Sequence, residues 1–245
     1  AGVITASERL QKYLGEKLYG AFNYLTEDER TLYWNQVRPW YQAYLPDLAM
    51  TINDERMNRL WYDALLQSRS ILVSSSVALA DLVAQSDDPE LKRTYGQISE
   101  AKEIEAGENL RKALENRILS DAGKYGSFMD LMKADVKGVR SRLASEDAAI
   151  EFVRYDATVP EEPSTDSIAV EGLVQTPDIR YLALVIRSDS DMPERVALCT
   201  EQELAGASPD RLHNLIWVPL AEHLDGIRNV YFSPDGELFS LPIEY

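Results

Sequence analysis

Apolar residues return every three or four positions from the start of the chain to about Leu143, the spacing that lines one face of an α-helix. Four start signals divide this stretch. Thr26-Glu27-Asp28-Glu29 has the Thr-x-x-Glu spacing of a capping box, in which each of the two side chains satisfies a free backbone N–H of the first turn. Asn53 or Asp54 caps a longer segment running to about Gln85, with Met57, Leu60, Trp61, Ala64, Leu65, Ser68, Ile71 and Leu72 on one stripe. At ~1.5 Å per residue this helix is roughly 48 Å long. Asp88 followed by Pro89 is a cap with proline at the first helical position, where its missing N–H costs nothing, and the pattern then continues to about Ser120. Ser127, three before Asp130, opens a last helix to about Leu143. Residues 1–145 are therefore expected to form long antiparallel helical hairpins.

Residues 146–245 have a different texture, that of an α/β sheet. Ala149 to Tyr155 is rich in β-formers, and Pro160 to Pro177 is a polar, acidic, proline-punctuated loop joining two strands of one sheet. Tyr181 to Ile186 is apolar without alternation, as a central strand covered on both faces requires. Arg195 to Cys199 follows closely enough to return as its antiparallel neighbour. Ser208-Pro209 repeats the cap-plus-proline start, and the helix after it carries Leu212, Leu215, Ile216, Leu220 and Leu224, restarting at Pro219. Asn229 to Phe232 is then a strand reached by a helical crossover, hence parallel to an earlier strand.

Composition narrows the partners. The net charge of -16, from 41 Asp+Glu against 25 Lys+Arg, opposes long-range attraction to phosphate backbones and anionic lipid. No apolar run approaches the roughly 20 residues of a spanning helix, the longest being Tyr181 to Ile186. Neither nucleic acid nor membrane is an expected partner. The single cysteine, Cys199, leaves no internal disulfide, and two histidines give no zinc-site spacing. No metal or cofactor is expected, and a reducing, cytoplasmic setting fits. The chain opens Ala1-Gly2-Val3 without an initiator Met, so its native N-terminus is unassigned.

The aromatic residues Trp34, Trp40 and Trp61 admit a ligand-platform reading. Filling of helix seams fits better, because Trp61 shares the stripe of Leu60 and Leu65. The small and aromatic positions do not recur at the 34-residue period of tetratricopeptide repeats.

Near the C-terminal end, Ser233-Pro234-Asp235-Gly236 places proline and glycine where a tight turn wants them. Its setting is more specific. Trp217-x-Pro219-Leu220 and His223-Leu224 precede Ile227 to Ser233, then Pro234-Asp235-Gly236-Glu237-Leu238-x-x-Leu241-Pro242. This string resembles the opening motif of the CHAT domain, a bacterial relative of the caspases: a Leu-x-Pro-Leu-like element, a strand, a Pro-x-Gly turn and a Leu-Pro step. Leu60 to Leu66 with Ile71-Leu72 resembles the long helix that precedes this domain in many members, and Ile150-Glu151-Phe152 with Tyr181 to Arg187 resembles its first strands. The resemblance covers most of the chain from about Thr26 onward.

It implies an incomplete caspase-like α/β sheet after a helical region, in a parent cysteine peptidase with a His-Cys dyad. In such a dyad the thiolate attacks a scissile carbonyl and the histidine manages protons. The family places its His-Gly and its later cysteine after the Leu-Pro step, so no residue here is expected to inherit the dyad, and no catalytic residue is assigned. Cys199, His213 and His223 come in the reverse order, and neither histidine precedes glycine. Cys199 ends an apolar strand without a cationic neighbour in sequence, as an inert packing thiol does. Both histidines are expected to be partly exposed helix residues. Gly-x-Ser-x-Gly and phosphate-cradling glycine loops are absent, and the carboxylate pairs Asp87-Asp88 and Glu161-Glu162 occupy cap or loop positions where solvated charge is the default. The alternative is a non-enzymatic helical scaffold for protein interactions. The expected partners are protein partners of the helical region, a protein or peptide substrate of the parent enzyme, and a second copy at the C-terminal strand edge.

Overall fold

The computed structural model describes residues 2–24, 27–85, 88–101, 134–157 and 177–243. Thr26, the helical pattern from 102 to Ser120, the start at Ser127 and most of the Pro160–Pro177 loop lie outside them. Contacts gather the chain into two compact units, one from Ala1–Tyr41 and Asp63–Asp135, the other from Gln42–Tyr62 and Val136–Tyr245. Residues 42–62 thus group with the sheet, a placement that helical periodicity alone does not reveal.

The first unit contains α1 (Gly2–Tyr24), α2 (Glu27–Pro39), most of α4 (Glu55–Gln85) and α5 (Pro89–Ala101). Ile4, Ser7, Gln11 and Leu18 are the buried line of α1, spaced as one helix face requires. The buried Gln11 amide is satisfied on both ends: its Oε1 accepts from Trp40 Nε1 at 2.6 Å, and its Nε2 donates to Gln67 Oε1 at 2.8 Å. Trp40 is buried, and Trp34 packs on Tyr41 with ring centroids 5.5 Å apart. Trp40 thus lies in the seam with α1, whereas the Trp34 contact stays within one continuous helical stretch. The Asp88 carboxylate accepts from the Glu90 N–H at 2.8 Å, capping α5 where the sequence placed its start. After Pro39, which has no N–H to return to the preceding turn, the chain continues through one wider π turn, Trp40–Tyr44.

The second unit contains α3 (Leu45–Thr51), the start of α4, α6 (Val136–Arg140) and a four-stranded sheet. Its strands are β1 (Asp147–Asp156), β2 (Ile179–Arg187), β3 (Glu194–Thr200) and β4 (Asn229–Ser233), in the order β3-β2-β1-β4. β1 with β2 and β2 with β3 are antiparallel, whereas β4 is parallel to β1. The fold is thus α and β with a mixed sheet. As the unalternating run Tyr181–Ile186 predicted, every one of those side chains is buried.

One face of the sheet carries Ile150, Phe152, Tyr181, Ala183, Val185 and Val196, packed with Leu204, Leu212, Ile216 and Leu220. The other meets the start of α4. There Trp61 is fully buried and stands edge-on to Tyr155 with centroids 6.4 Å apart. Polar ties complete this side: Asn58 Nδ2 donates to the Pro193 carbonyl at 3.3 Å, and Arg195 Nη1 to the Ala49 carbonyl in the last turn of α3 at 2.5 Å. A guanidinium at a helix C-terminus satisfies carbonyls that lack an intrahelical partner.

Two local expectations need correction, and one element was not foreseen. The helix expected to reach Leu143 ends at Arg140, where tight turns closed by Arg142 N–H to Val139 O and Leu143 N–H to Arg140 O release the chain toward β1. The helix capped by Ser208, α8 (Pro209–Ile216), stops before Trp217 and does not restart at Pro219. Turns follow, then one 3-10 turn at Glu222–Leu224, because Pro219 has no N–H with which to continue the helical ladder. A further short helix, α7 (Glu201–Leu204), stands directly after β3, started by a reciprocal capping box between Thr200 and Glu203.

Candidate functional site

The motif that carried the resemblance folds as a turn fastened to the sheet. Leaving β4, the chain passes Pro234 and Asp235 into a 3-10 turn, Gly236–Phe239. Asp235 holds both sides of the corner, its Oδ1 accepting from the Gly236 N–H at 2.9 Å and its Oδ2 from the Arg154 N–H in β1 at 3.0 Å. The Glu237 N–H donates to the Tyr181 hydroxyl of β2 at 3.0 Å, and that hydroxyl donates to Glu201 Oε1 at 3.2 Å. Glu201 in turn accepts from Arg154 Nε at 2.6 Å and Nη2 at 3.1 Å, a two-pronged pair. One carboxylate at the start of α7 therefore gathers side chains from β1 and β2 around the turn.

Gly236 is required there. Its φ of +53° lies in the left-handed region, and a Cβ on it would stand 2.5 Å from both Arg154 Cδ and Tyr181 Oη. The turn context in the sequence marks this glycine, whereas nothing as specific marks Arg154, Tyr181 and Glu201. The available signals were weak: a charged residue on an exposed register position of an otherwise buried strand, and an acidic residue in the first turn of a capped helix.

The electrostatics assign this cluster to architecture. Hydrogen bonds from Arg154 hold the Glu201 carboxyl below its ordinary range, and burial pushes the Tyr181 phenol up to about 12. The first stays ionised and the second protonated near neutrality, so neither is poised to exchange a proton. A cavity of about 420 Å³ opens beside Glu201, lined also by Ile179, Thr200 and Gln202. Among the described residues, the two carboxylates on its wall are already paired, Asp178 with Arg180 and Glu201 with Arg154.

The candidate nucleophile and bases occupy separate environments. Cys199 is buried in the core facing α8, and burial, reinforced by the negative Glu203, pushes its thiol up to about 11. A register irregularity between Arg180 and Leu182 leaves Leu198 and Cys199 opposite Tyr181, which turns Cys199 to the same face as Val196. His213 is exposed on α8. His223, in the 3-10 turn, faces Glu194 through Nδ1, while its backbone carbonyl accepts from Arg187 Nη1 at 3.3 Å. Among the described residues neither histidine is hydrogen-bonded to Cys199, and no group of three or more His, Cys, Asp or Glu side chains is placed to hold a metal ion. Among these residues no helix is long and apolar enough to cross a membrane.

Comparison with protein-family models, with curated proteins and with solved structures finds no match to this chain.

Proposed function

We propose that this chain is the helical region and the first part of the protease-like domain of a CHAT-type, caspase-like cysteine peptidase. The observation that carries the reading is the path from β3 through α7 and α8 to β4, which lies parallel to β1 and delivers the chain into the Pro234-Asp235-Gly236 turn and the Leu241-Pro242 step. A parallel strand reached by a helical crossover is how an α/β sheet is extended, and the motif resembling the family sits at its end.

On this reading the chain is not itself the catalyst. The nucleophile is a cysteine other than Cys199, whose thiol is buried and held protonated, and the substrate is a protein or peptide. The helical region engages protein partners, and the outer side of β4, at one end of the described sheet, is taken by further strands of the parent or by a second copy of this chain. Reading the coding sequence beyond Tyr245 tests this directly. A His-Gly followed by a later cysteine in a small-residue context supports the peptidase, and absence of both leaves the helical scaffold.

A further inference from the structure

Residues 234–243 are held by hydrogen bonds at two places, and between them Leu238 is buried, Leu241 packs on the core and Phe239 stands open. Leu238 and Ile243 are buried at 1% and 3% exposure, whereas Phe239 between them is 71% exposed. At the first place, Asp235 accepts from the Arg154 N–H, and the Glu237 N–H reaches the Tyr181 hydroxyl. Both of those partners converge on Glu201. At the second place, the Trp217 indole Nε1 donates to the Ile243 carbonyl at 2.8 Å. Trp217 is itself wedged edge-on against Phe152 and Phe232, with centroids 6.2 and 5.9 Å away. The two fastenings share no residue.

We propose that residues 234–243 form a strap with two independent fastenings, and that Glu201 is the positioning residue that keeps the first one closed. A carboxylate at this junction does what neither neighbour does alone. It fixes the Arg154 guanidinium by a bidentate pair and aims the Tyr181 hydroxyl so that its oxygen accepts from the Glu237 N–H. Losing it leaves two half-satisfied groups beside the turn, which favours local opening of the strap over unfolding of the sheet, whose central strands β1 and β2 are buried on both faces. These contacts hold the strap whether or not the chain belongs to a peptidase.

Native-state hydrogen exchange on the whole 245-residue chain tests it. In Glu201→Gln, and separately in Tyr181→Phe, which removes only the bridging hydroxyl, the amides of Glu237 and Leu238 should exchange at least ~10-fold faster, while Phe152 and Leu184 keep their wild-type rates. In Trp217→Phe the Ile243 amide should speed up while Glu237 does not. Equal acceleration of the strap and of the β1 and β2 amides would make Glu201 a residue of global stability and overturn the proposal. Unchanged exchange at Glu237 in both variants would also overturn it, as would coupled opening of both ends.

Discussion

The hydroxyl of Tyr181 and the backbone of Gly236 occupy the same corner: a single added carbon on the glycine would stand 2.5 Å from that oxygen. No L-residue side chain fits without displacing the Arg154 and Tyr181 side chains or the turn. Gly236→Ala combines this clash with a left-handed φ that costs roughly 1–2 kcal/mol for any residue with a Cβ. The expected loss is about 2–3 kcal/mol in denaturant unfolding. A loss below about 0.5 kcal/mol would mean that the corner relaxes freely.

Trp61 belongs to the core facing Tyr155, and its Nε1 has no hydrogen-bond partner among the described residues. Trp61→Ala should therefore cost ~3–5 kcal/mol, as for other buried aromatics. Trp61→Phe keeps most of the edge-on contact and removes the orphan donor, whose burial is itself unfavourable, so it should cost less than half as much. Thermal or denaturant melts of the pair check this, and equal losses would show that the indole N–H is satisfied in solution.

Cys199 should react with a thiol reagent slowly in the native protein and quickly in denaturant, because burial keeps it inaccessible and protonated. Its raised pKa has a definite sign in stability. The unfolded thiol ionises near 9 while the folded one retains its proton to about 11, so its contribution is complete below about pH 9 and is lost as the pH rises through that window. Cys199→Ala should flatten the alkaline end of the stability profile. An unchanged alkaline slope would contradict the assignment.

The parts of the fold written in local chemistry were legible in the sequence. The cap-proline pairs at Asp88-Pro89 and Ser208-Pro209 marked helix starts because a side-chain oxygen and a missing N–H act within one turn. The unalternating run Tyr181–Ile186 marked a strand covered on both faces, and the crossover to Asn229–Phe232 marked a parallel neighbour. What was missed depends on partners distant in sequence. Residues 42–62 join the sheet through contacts such as Trp61 with Tyr155 and Arg195 with Ala49, and a helical stripe says only that something covers it. Glu201 acquires its role from Arg154, 47 residues earlier, and Tyr181, 20 residues earlier. Helix ends were also misjudged: the apolar spacing through Leu220 and Leu224 outlasts the helix because turn residues after Ile216 keep packing on the same core.

On the proposed peptidase function, the chemistry belongs to a cysteine other than Cys199. Treating the full product of the gene with an electrophilic peptide that traps cysteine peptidases, followed by mass spectrometry of its cysteine peptides, tests this most directly. The predicted result is a covalent adduct at a cysteine beyond Tyr245, lost when the histidine of the His-Gly pair is replaced, with Cys199 unmodified. An adduct at Cys199, or none at any cysteine, would contradict it.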